Sequence, residues 1–444
     1  MARRRLAPAG AAAWDRVRLA GRALRRWLQR LVVRLRRLLR QLVVRLRGLL
    51  GGGEVARQSL VALALNSTTS LVAGAFLGAI AATLDALPGL LMLVPAAIGL
   101  RGNIFSAFGN RLSTTIHTGT FELSARRDGV LAQNVGASLV LTLSMSVLLA
   151  VVVKTVAVGL GLANTISFLD LALISTLGGF LASLVVLVAA VALAAGSARY
   201  GWDLDNVTAP LVSTLGDVLT LPALWLATFL VDDHVVASVA AVTLIVVSAV
   251  VFVGGWRSTM ATLRGVVRES TPILFVAMCL STLSGLAIEH RLETFTALPA
   301  LLVLLPAFIS SAGALGGILS ARLASKLHLG MIEPRRLPGA DARRDGALVF
   351  LLGAPVFLFN AVGAHLVGRL LGQASPGMVA MVVATMAAGA LAVGFVVVIA
   401  YYGTVAAVGI GVDPDTYGIP VVTSSVDFFG AVTLIWAISA LGVV

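Results

Sequence analysis

Two short stretches of this sequence place carboxylates inside segments that are otherwise apolar. Residues 203–217 read DLDNVTAPLVSTLGD, and residues 413–427 read DPDTYGIPVVTSSVD. Each ends in an aspartate, Asp217 or Asp427. At about 1.5 Å per residue, Asp217 lies roughly 17 Å along its helix from Asn206, near the middle of a bilayer. A charged carboxylate at that depth costs several kcal/mol unless it is paired, hydrated or bound to a cation. Because neither segment contains Lys or Arg, the acids predict a cation site.

Hydroxyl groups precede each of these aspartates by about one helical turn. They belong to Ser213, Thr214, Thr423 and Ser424. Carboxylates and hydroxyls form an oxygen-only ligand set, which suits hard cations such as Mg²⁺, with Mn²⁺ and Ca²⁺ as alternatives. Mg²⁺ is commonly held by one or two carboxylates and keeps several waters, which matches this sparse ligand supply. We therefore expect the two aspartates to share one divalent ion.

A second set of acids begins the same two stretches. It consists of Asp203, Asp205, Asp413 and Asp415. These carboxylates could gather cations at the mouth of a pathway, or they could cap helix N-termini and satisfy free backbone amides. Arg111 and Arg322 lie in another matching pair of apolar segments, and we expect them to pair with these acids rather than to meet a cation.

The composition is that of a polytopic membrane protein. Of 444 residues, 59% are hydrophobic and 12% are charged, and the mean hydropathy is +1.00. Eleven apolar segments are long enough to cross about 30 Å of hydrocarbon. They cover residues 58–83, 88–117, 129–154, 166–197, 206–231, 235–256, 269–289, 297–325, 346–370, 376–401 and 415–440. The sequence thus predicts an all-α membrane protein.

An internal duplication organises these segments. Residues 95–119 align without gaps with residues 306–330, and ARRDG recurs at 125–129 and 342–346 before the two acidic stretches. Each repeat contains five spans, and the additional span returns the chain to the starting side, so the repeats should be parallel about a pseudo-two-fold axis along the membrane normal. The predicted domains follow from this arrangement. They are a tail (1–53), repeat 1 (54–233), a linking helix and loop (234–268) and repeat 2 (269–444). One chain would supply both halves, so a monomer is expected.

The basic charge belongs to the N-terminal tail. Residues 1–50 contain fifteen Arg and one Asp, which accounts for the net charge of +13. Leucines recur at helical spacing between the arginines, so we expect an amphipathic helix on anionic lipid, with self-association as an alternative. Nucleic-acid binding is not expected, because aromatic residues are scarce there. Loop Arg and Lys residues favour a cytoplasmic N-terminus and an external C-terminus in the plasma membrane.

The two repeats resemble a known family of ion transporters. The pattern P-x6-GN…R-L-S-T…H-x-G, followed by D-x-D-x4-P…GD, is similar to the membrane domain of the MgtE magnesium transporters, and the tandem form resembles their eukaryotic solute-carrier relatives. The resemblance covers about residues 57–440. It implies a Mg²⁺ pathway on the repeat axis, with Asp217 and Asp427 as ligands and the Gly102–Asn103 step lining the pore.

Two features depart from the family pattern. Ala314 replaces the motif asparagine in repeat 2, so we expect the pathway to be asymmetric beside Asn103. The cytoplasmic sensor domains of bacterial members are missing from this sequence, so gating by such domains is not expected.

Two other functions compete with divalent-ion transport. An H⁺- or Na⁺-coupled carrier of another solute would need a larger polar pocket than these spans supply. An intramembrane aspartyl protease would also use two buried carboxylates, but the sequence has TLGD at 214–217 rather than GxGD. We therefore expect a transporter or channel and not an enzyme.

Overall fold

A computed structural model describes residues 53–124, 126, 128–162, 165–200, 204–409 and 419–442. The predicted tail helix lies outside the described residues, and so do Asp203, Asp413, Asp415 and the side chains of Asp205 and Ser213. Residues 60–444 form one compact unit. Residues 1–59 form another unit, of which the structure describes only the beginning of the first helix.

Every regular element in the described part of the chain is a helix. The helices are α1 (Gly53–Ala79), α2 (Ala81–Ala86), α3 (Leu90–His117), α4 (Val130–Gly159), α5 (Phe168–Leu173), α6 (Gly179–Tyr200), α7 (Leu204–Thr228), α8 (His234–Trp256), α9 (Ala261–Glu289), α10 (Leu292–Ala297), α11 (Pro299–His328), α12 (Ala340–Leu370), α13 (Met378–Gly409) and α14 (Ile419–Ala440). A π-helical segment, Ile174–Gly178, joins α5 to α6. Ten helical stretches among the described residues are long and apolar enough to cross a membrane, and α7 adds a shorter apolar part, Thr214–Thr228. The chain is therefore an all-α polytopic membrane protein, as predicted.

Several of the predicted spans have different ends in the structure: α12 begins at Ala340 rather than 346, α13 ends at Gly409 rather than 401, and α4 ends at Gly159 rather than 154. The predicted span 58–83 is divided, because α1 ends at Ala79 and the separate helix α2 follows. The predicted span 269–289 begins too late, because α9 starts at Ala261. Charged residues in the first two turns of α9 lower its hydropathy, but they are compatible with a helix.

The two repeats make the same close contact at equivalent positions. Gly74 of α1 lies against the backbone of Val303 in α11, and Gly285 of α9 lies against the backbone of Met92 in α3. At both glycines a Cβ would overlap the carbonyl oxygen of the facing residue. The two members of each equivalent pair are 211 positions apart, which is the offset of the sequence repeat. A pseudo-two-fold relation between the repeats produces this correspondence.

The first helix of each repeat packs on the other repeat. On one side, Ser67 of α1 shares a hydrogen bond of 3.1 Å with Ser311 of α11, and Leu71 packs against Gly363 of α12. On the other side, α9 packs along α3 and α4. Each half of the core therefore contains a helix from the opposite repeat, and the repeats are interlocked rather than placed side by side.

Candidate functional site

A cavity of about 630 Å³ lies between the two repeats. The first, second and fifth spans of both repeats line it, which are α1, α3 and α7 together with α9, α11 and α14. Asp217 on α7 and Asp427 on α14 both face this cavity. The structure thus brings together the two aspartates that the sequence singled out.

The two carboxylates have few hydrogen-bond partners among the described residues. Asp217 is 6% exposed, and the Ser310 hydroxyl lies 3.5 Å from its Oδ2. The same hydroxyl is closer to Oδ1 of Asn66, at 3.0 Å, and can donate its proton there instead. Asp427 accepts a hydrogen bond of 3.0 Å from the Ser281 hydroxyl. The two aspartates are close enough to interact electrostatically, and most of their lone pairs remain available to a ligand.

Glycines in the second spans keep space beside Asp427. A Cβ on Gly313 would lie 3.5 Å from Oδ1, and a Cβ on Gly99 would lie 3.8 Å from Oδ2. Both glycines line the cavity and occupy the interiors of α11 and α3. Glycine in a helix interior costs about 0.5–1 kcal/mol relative to alanine. Here it leaves room next to a carboxylate.

The predicted hydroxyl ligands are only partly arranged around the cavity. Thr423 and Ser424 line it, and Ser424 is buried. Thr214 is buried on α7 but is not among the described residues that line the cavity. The oxygen ligands of repeat 2 therefore face the cavity more fully than those described in repeat 1.

The asymmetry predicted in the second spans lies on the cavity wall. Gly102 and Asn103 line the cavity in repeat 1, and Ala314 lines it in repeat 2. An amide therefore lines the cavity in repeat 1 at the position where repeat 2 has a methyl group. The cavity has two-fold backbone contacts but side chains that differ between the halves.

The two matching arginines have different partners. Arg111 lines the cavity, donates from Nε to Oδ1 of Asn134 at 2.8 Å and interacts electrostatically with Glu269. Arg322 instead donates to Oδ1 of Asp345, from Nε at 3.0 Å and from Nη2 at 2.7 Å. Asp345 is only 2% exposed, so this ion pair is shielded. Among the described residues, the acidic partner of Arg322 is thus Asp345, while the predicted pairing with the mouth acids stays a prediction, since those side chains lie outside the described residues.

The cavity is closed at one end and continues toward the other. Fully buried residues at the start of α3 and α11 fill the closed end. They are Leu91, Met92, Leu93, Leu302, Val303 and Leu304. From Gly99, beside the acid pair, α3 runs about 18 Å to Arg111 at the opposite end of the cavity. The carboxylates therefore line the same cavity as Arg111 and Glu269.

Several residues of the site were not anticipated from the sequence. The Ser281 hydroxyl donates to Asp427. The Ser310 hydroxyl lies between Asn66 and Asp217, and Ser70 lines the cavity. One signal was available for part of this set. Ser70 and Ser281 each precede a glycine by four positions and are 211 residues apart, so the duplication extends into the first spans.

The ligand set fits a cation that keeps much of its water. Among the described residues, no group of three or more His, Cys, Asp or Glu side chains comes together. Six waters occupy about 180 Å³ at ~30 Å³ each, so the cavity has room for a hydrated ion. Two carboxylates with hydroxyl and amide oxygens are the type of ligand set that Mg²⁺, Mn²⁺ and Ca²⁺ accept.

These features define a class of membrane transport protein, in which tandem repeats enclose an acidic cavity. The family model MgtE, described as a divalent cation transporter, matches residues 94–227 and 305–437, more than half of the chain. This chain belongs to the MgtE family of divalent cation transporters. The two matched blocks correspond to the two repeats, which agrees with the predicted duplication and with the predicted family resemblance.

Related transporters of animals match over different lengths. Solute carrier family 41 member 3 of Mus musculus is 24% identical over 367 residues, which cover 77% of this chain and 73% of the mouse protein. The Rattus norvegicus member 3 is 28% identical over 148 residues, 33% of this chain and 32% of that protein. Member 2 of Macaca fascicularis is 25% identical over 77% of this chain and 62% of its own length. No solved structure matches this chain significantly.

Proposed function

We propose that this protein moves Mg²⁺ across a membrane through the cavity between its repeats, with Asp217 and Asp427 holding the ion at the membrane midplane. The observation that carries this proposal is that both carboxylates face one cavity. Family membership supports the divalent cation as the cargo. The oxygen ligands support a hard cation among the divalent metals.

The charge of the cavity wall suits one divalent ion. Among the described residues that line it, Asp217, Asp427 and Glu269 contribute three negative charges, and Arg111 contributes one positive charge, a net of −2. A cation would enter from the Arg111 end with its water shell and exchange part of that shell for the two carboxylates. Carbonyl and hydroxyl groups around the two carboxylates would take the place of the water that the ion loses. The ion would keep the rest of its water, so that its binding is strong enough for entry but weak enough for release.

Passage through the closed end requires a conformational change. The contacts that join α1 to α11 and α9 to α3 lie at this end, where Met92 and Val303 are fully buried. Under the orientation predicted from loop charge, the end of the cavity lined by Arg111 and Glu269 faces the cytoplasm. A single chain supplies both halves of this pathway, which supports a monomeric transporter in the plasma membrane.

Flux in proteoliposomes tests the proposed cargo. Purified protein should carry Mg²⁺ inward, with Mn²⁺ and Ca²⁺ as weaker or comparable substrates and Na⁺ alone not carried. Each ion is offered separately, with and without a proton gradient and a Na⁺ gradient. Flux that follows the divalent gradient alone indicates a channel, whereas dependence on either second gradient indicates coupled exchange. Absence of divalent flux from folded protein would contradict the proposal.

Thiol labelling tests the proposed orientation. In a Cys279→Ser background, Leu123→Cys and Leu337→Cys occupy exposed loop positions that should be cytoplasmic, and Glu293→Cys should be external. A membrane-impermeant thiol reagent added to intact cells should label position 293 and spare the other two. Labelling of positions 123 and 337 with protection of 293 would reverse the proposed direction.

A further inference from the structure

A buried carboxylate lies at the closed end of the cavity, on the last residue of α9. Glu289 is 8% exposed. Its Oε1 accepts a hydrogen bond of 2.7 Å from the backbone N–H of Gly89, and the backbone amides of Leu91 and Met92 also interact with the carboxylate. Among the described residues, no Lys, Arg or His forms an ion pair with Glu289. The groups that stabilise this carboxylate are therefore backbone amides at the start of α3.

The start of α3 has no cap from its own part of the chain. The first four N–H groups of a helix have no partner within the helix, and they form the positive end of its dipole. The stretch ALPGLL at 86–91 offers no Ser, Thr, Asp or Asn that could accept from them. Glu289, which is 200 positions away in the sequence, supplies the missing acceptor.

Glu289 is unfavourably placed with respect to its own helix. An acidic side chain in the last turn of a helix lies at the negative end of that helix's dipole. Burial adds a desolvation cost for the carboxylate. The amides of α3 offset both costs only while the start of α3 and the end of α9 stay in contact, so separation of the two would leave both groups without their partners.

This contact holds the turn of α3 that fills the closed end. Gly285, one turn before Glu289, lies against the backbone of Met92, and Met92 is fully buried. The helix α9 therefore binds the first turn of α3 in two ways, by close packing at Gly285 and by hydrogen bonding at Glu289. Hydrogen bonds to an ionised group are roughly twice as strong as those between neutral groups.

Repeat 2 holds the start of its second span without a carboxylate. The position equivalent to Glu289, 211 residues earlier, is Gly78 of α1. The side chain of Gln373 lies there instead, because a Cβ on Gly78 would be 2.8 Å from its Nε2. The start of α11 has Pro299, which has no N–H, and Ala300, whose N–H donates to the carbonyl of Ala374 at 3.2 Å. The charged contact therefore exists in one half of the closed end.

We propose that Glu289 is a positioning residue that keeps the closed end of the cavity shut, by holding the start of α3 against α9 until the pathway opens on that side. This inference rests on the proposed function, in which an ion passes through that end after a conformational change. Opening the closed end would break the Glu289 contact and leave a carboxylate and several amides to be hydrated. The contact therefore favours the closed state, and its loss should increase the population of the open state.

Thiol accessibility from both sides of the membrane tests this role. Ile98→Cys, in a Cys279→Ser background, places a thiol on the cavity wall, and a small membrane-impermeant methanethiosulfonate is applied to intact cells or to inside-out vesicles. Labelling of positions 123, 293 and 337 shows which side the closed end faces. Glu289→Ala should speed modification of position 98 from the closed-end side at least ~10-fold, because it removes a hydrogen bond to a charged group. Glu289→Gln keeps one acceptor oxygen and should give an intermediate rate.

The opposite side and a neighbouring acid provide the controls. Modification from the other side should be unchanged or slower in Glu289→Ala, whereas general loosening of the fold would speed it from both sides. Glu293→Gln changes an exposed acid four residues further along the chain and should leave both rates unchanged. Equal rates in Glu289→Ala and its parent would overturn the inference, and so would equal acceleration from both sides. Absence of divalent flux from folded wild type is a separate result that contradicts the proposed function, because the labelling rates do not depend on flux.

Discussion

Asp217→Asn and Asp427→Asn should each lower divalent flux at least ~10-fold, because each removes a charge contact to the ion at a buried site between the repeats. Asparagine keeps the size of the side chain and one carbonyl oxygen. The double variant should abolish flux, and the two losses should not add, because both carboxylates serve one ion. The measurement is Mg²⁺ uptake into proteoliposomes, normalised to folded protein.

Two further measurements make this result specific to the cavity. Ser425→Ala is a matched control on α14, because the Ser425 hydroxyl donates to the Val421 carbonyl within its own helix and Ser425 is not among the described cavity-lining residues; its flux should equal the wild type. Added Mg²⁺ should raise the thermal stability of the wild type more than that of either Asn variant. Wild-type flux in the double Asn variant would show that these acids are packing groups rather than ion ligands.

The architecture could be predicted because a bilayer imposes strong rules on sequence. Apolar length gives the spans, and the matched segments at 95–119 and 306–330 give the duplication. The same rules made Asp217 and Asp427 conspicuous, since a buried carboxylate is costly wherever it lies. Symmetry then placed the two acids together, and both face one cavity in the structure.

Side-chain partners were harder to predict because they depend on which helices meet. The exchange of α1 and α9 between the repeats brings Asn66 of α1 to Ser310 of α11, whose hydroxyl also lies 3.5 Å from Asp217. Hydropathy does not encode such an exchange. Arg322 pairs with Asp345 in the first turns of α12, a partner that the sequence analysis did not name; its predicted pairing with the acids near residue 413 stays a prediction, because those acids lie outside the described residues.

Arg101 illustrates a different limit. A single arginine in an apolar span is visible in the sequence, but its partners are a hydroxyl and backbone carbonyls rather than an acid. The π-helical segment that offers one of these carbonyls has no clear signature in ISTLG. Its position follows from tertiary packing against α4 and α7, which only the structure describes.

Gly74→Ala and Gly285→Ala should each destabilise the protein, because a Cβ at either position would overlap a backbone carbonyl of the facing helix. Overpacking in a close-packed interior typically costs about 1–3 kcal/mol, and here the obstacle is backbone, which cannot change rotamer. The expected result is a lower unfolding temperature for each variant in detergent. The losses should add in the double variant, since the two contacts lie on separate helix pairs.

Gly394→Ala provides the matched control for these variants. Gly394 also lies inside a membrane helix, α13, but a Cβ there would meet no atom within 4 Å. Alanine at that position should stabilise the helix slightly, by about 0.5–1 kcal/mol, so the control changes in the opposite direction. Similar destabilisation at positions 74 and 285 is the result expected from interlocked repeats with equivalent contacts. If only one of the two substitutions destabilised the protein, the contacts would not be equivalent. If both behaved like Gly394→Ala, the first helices would not pack on the opposite repeats, and the cavity that those helices help to enclose would need a different wall.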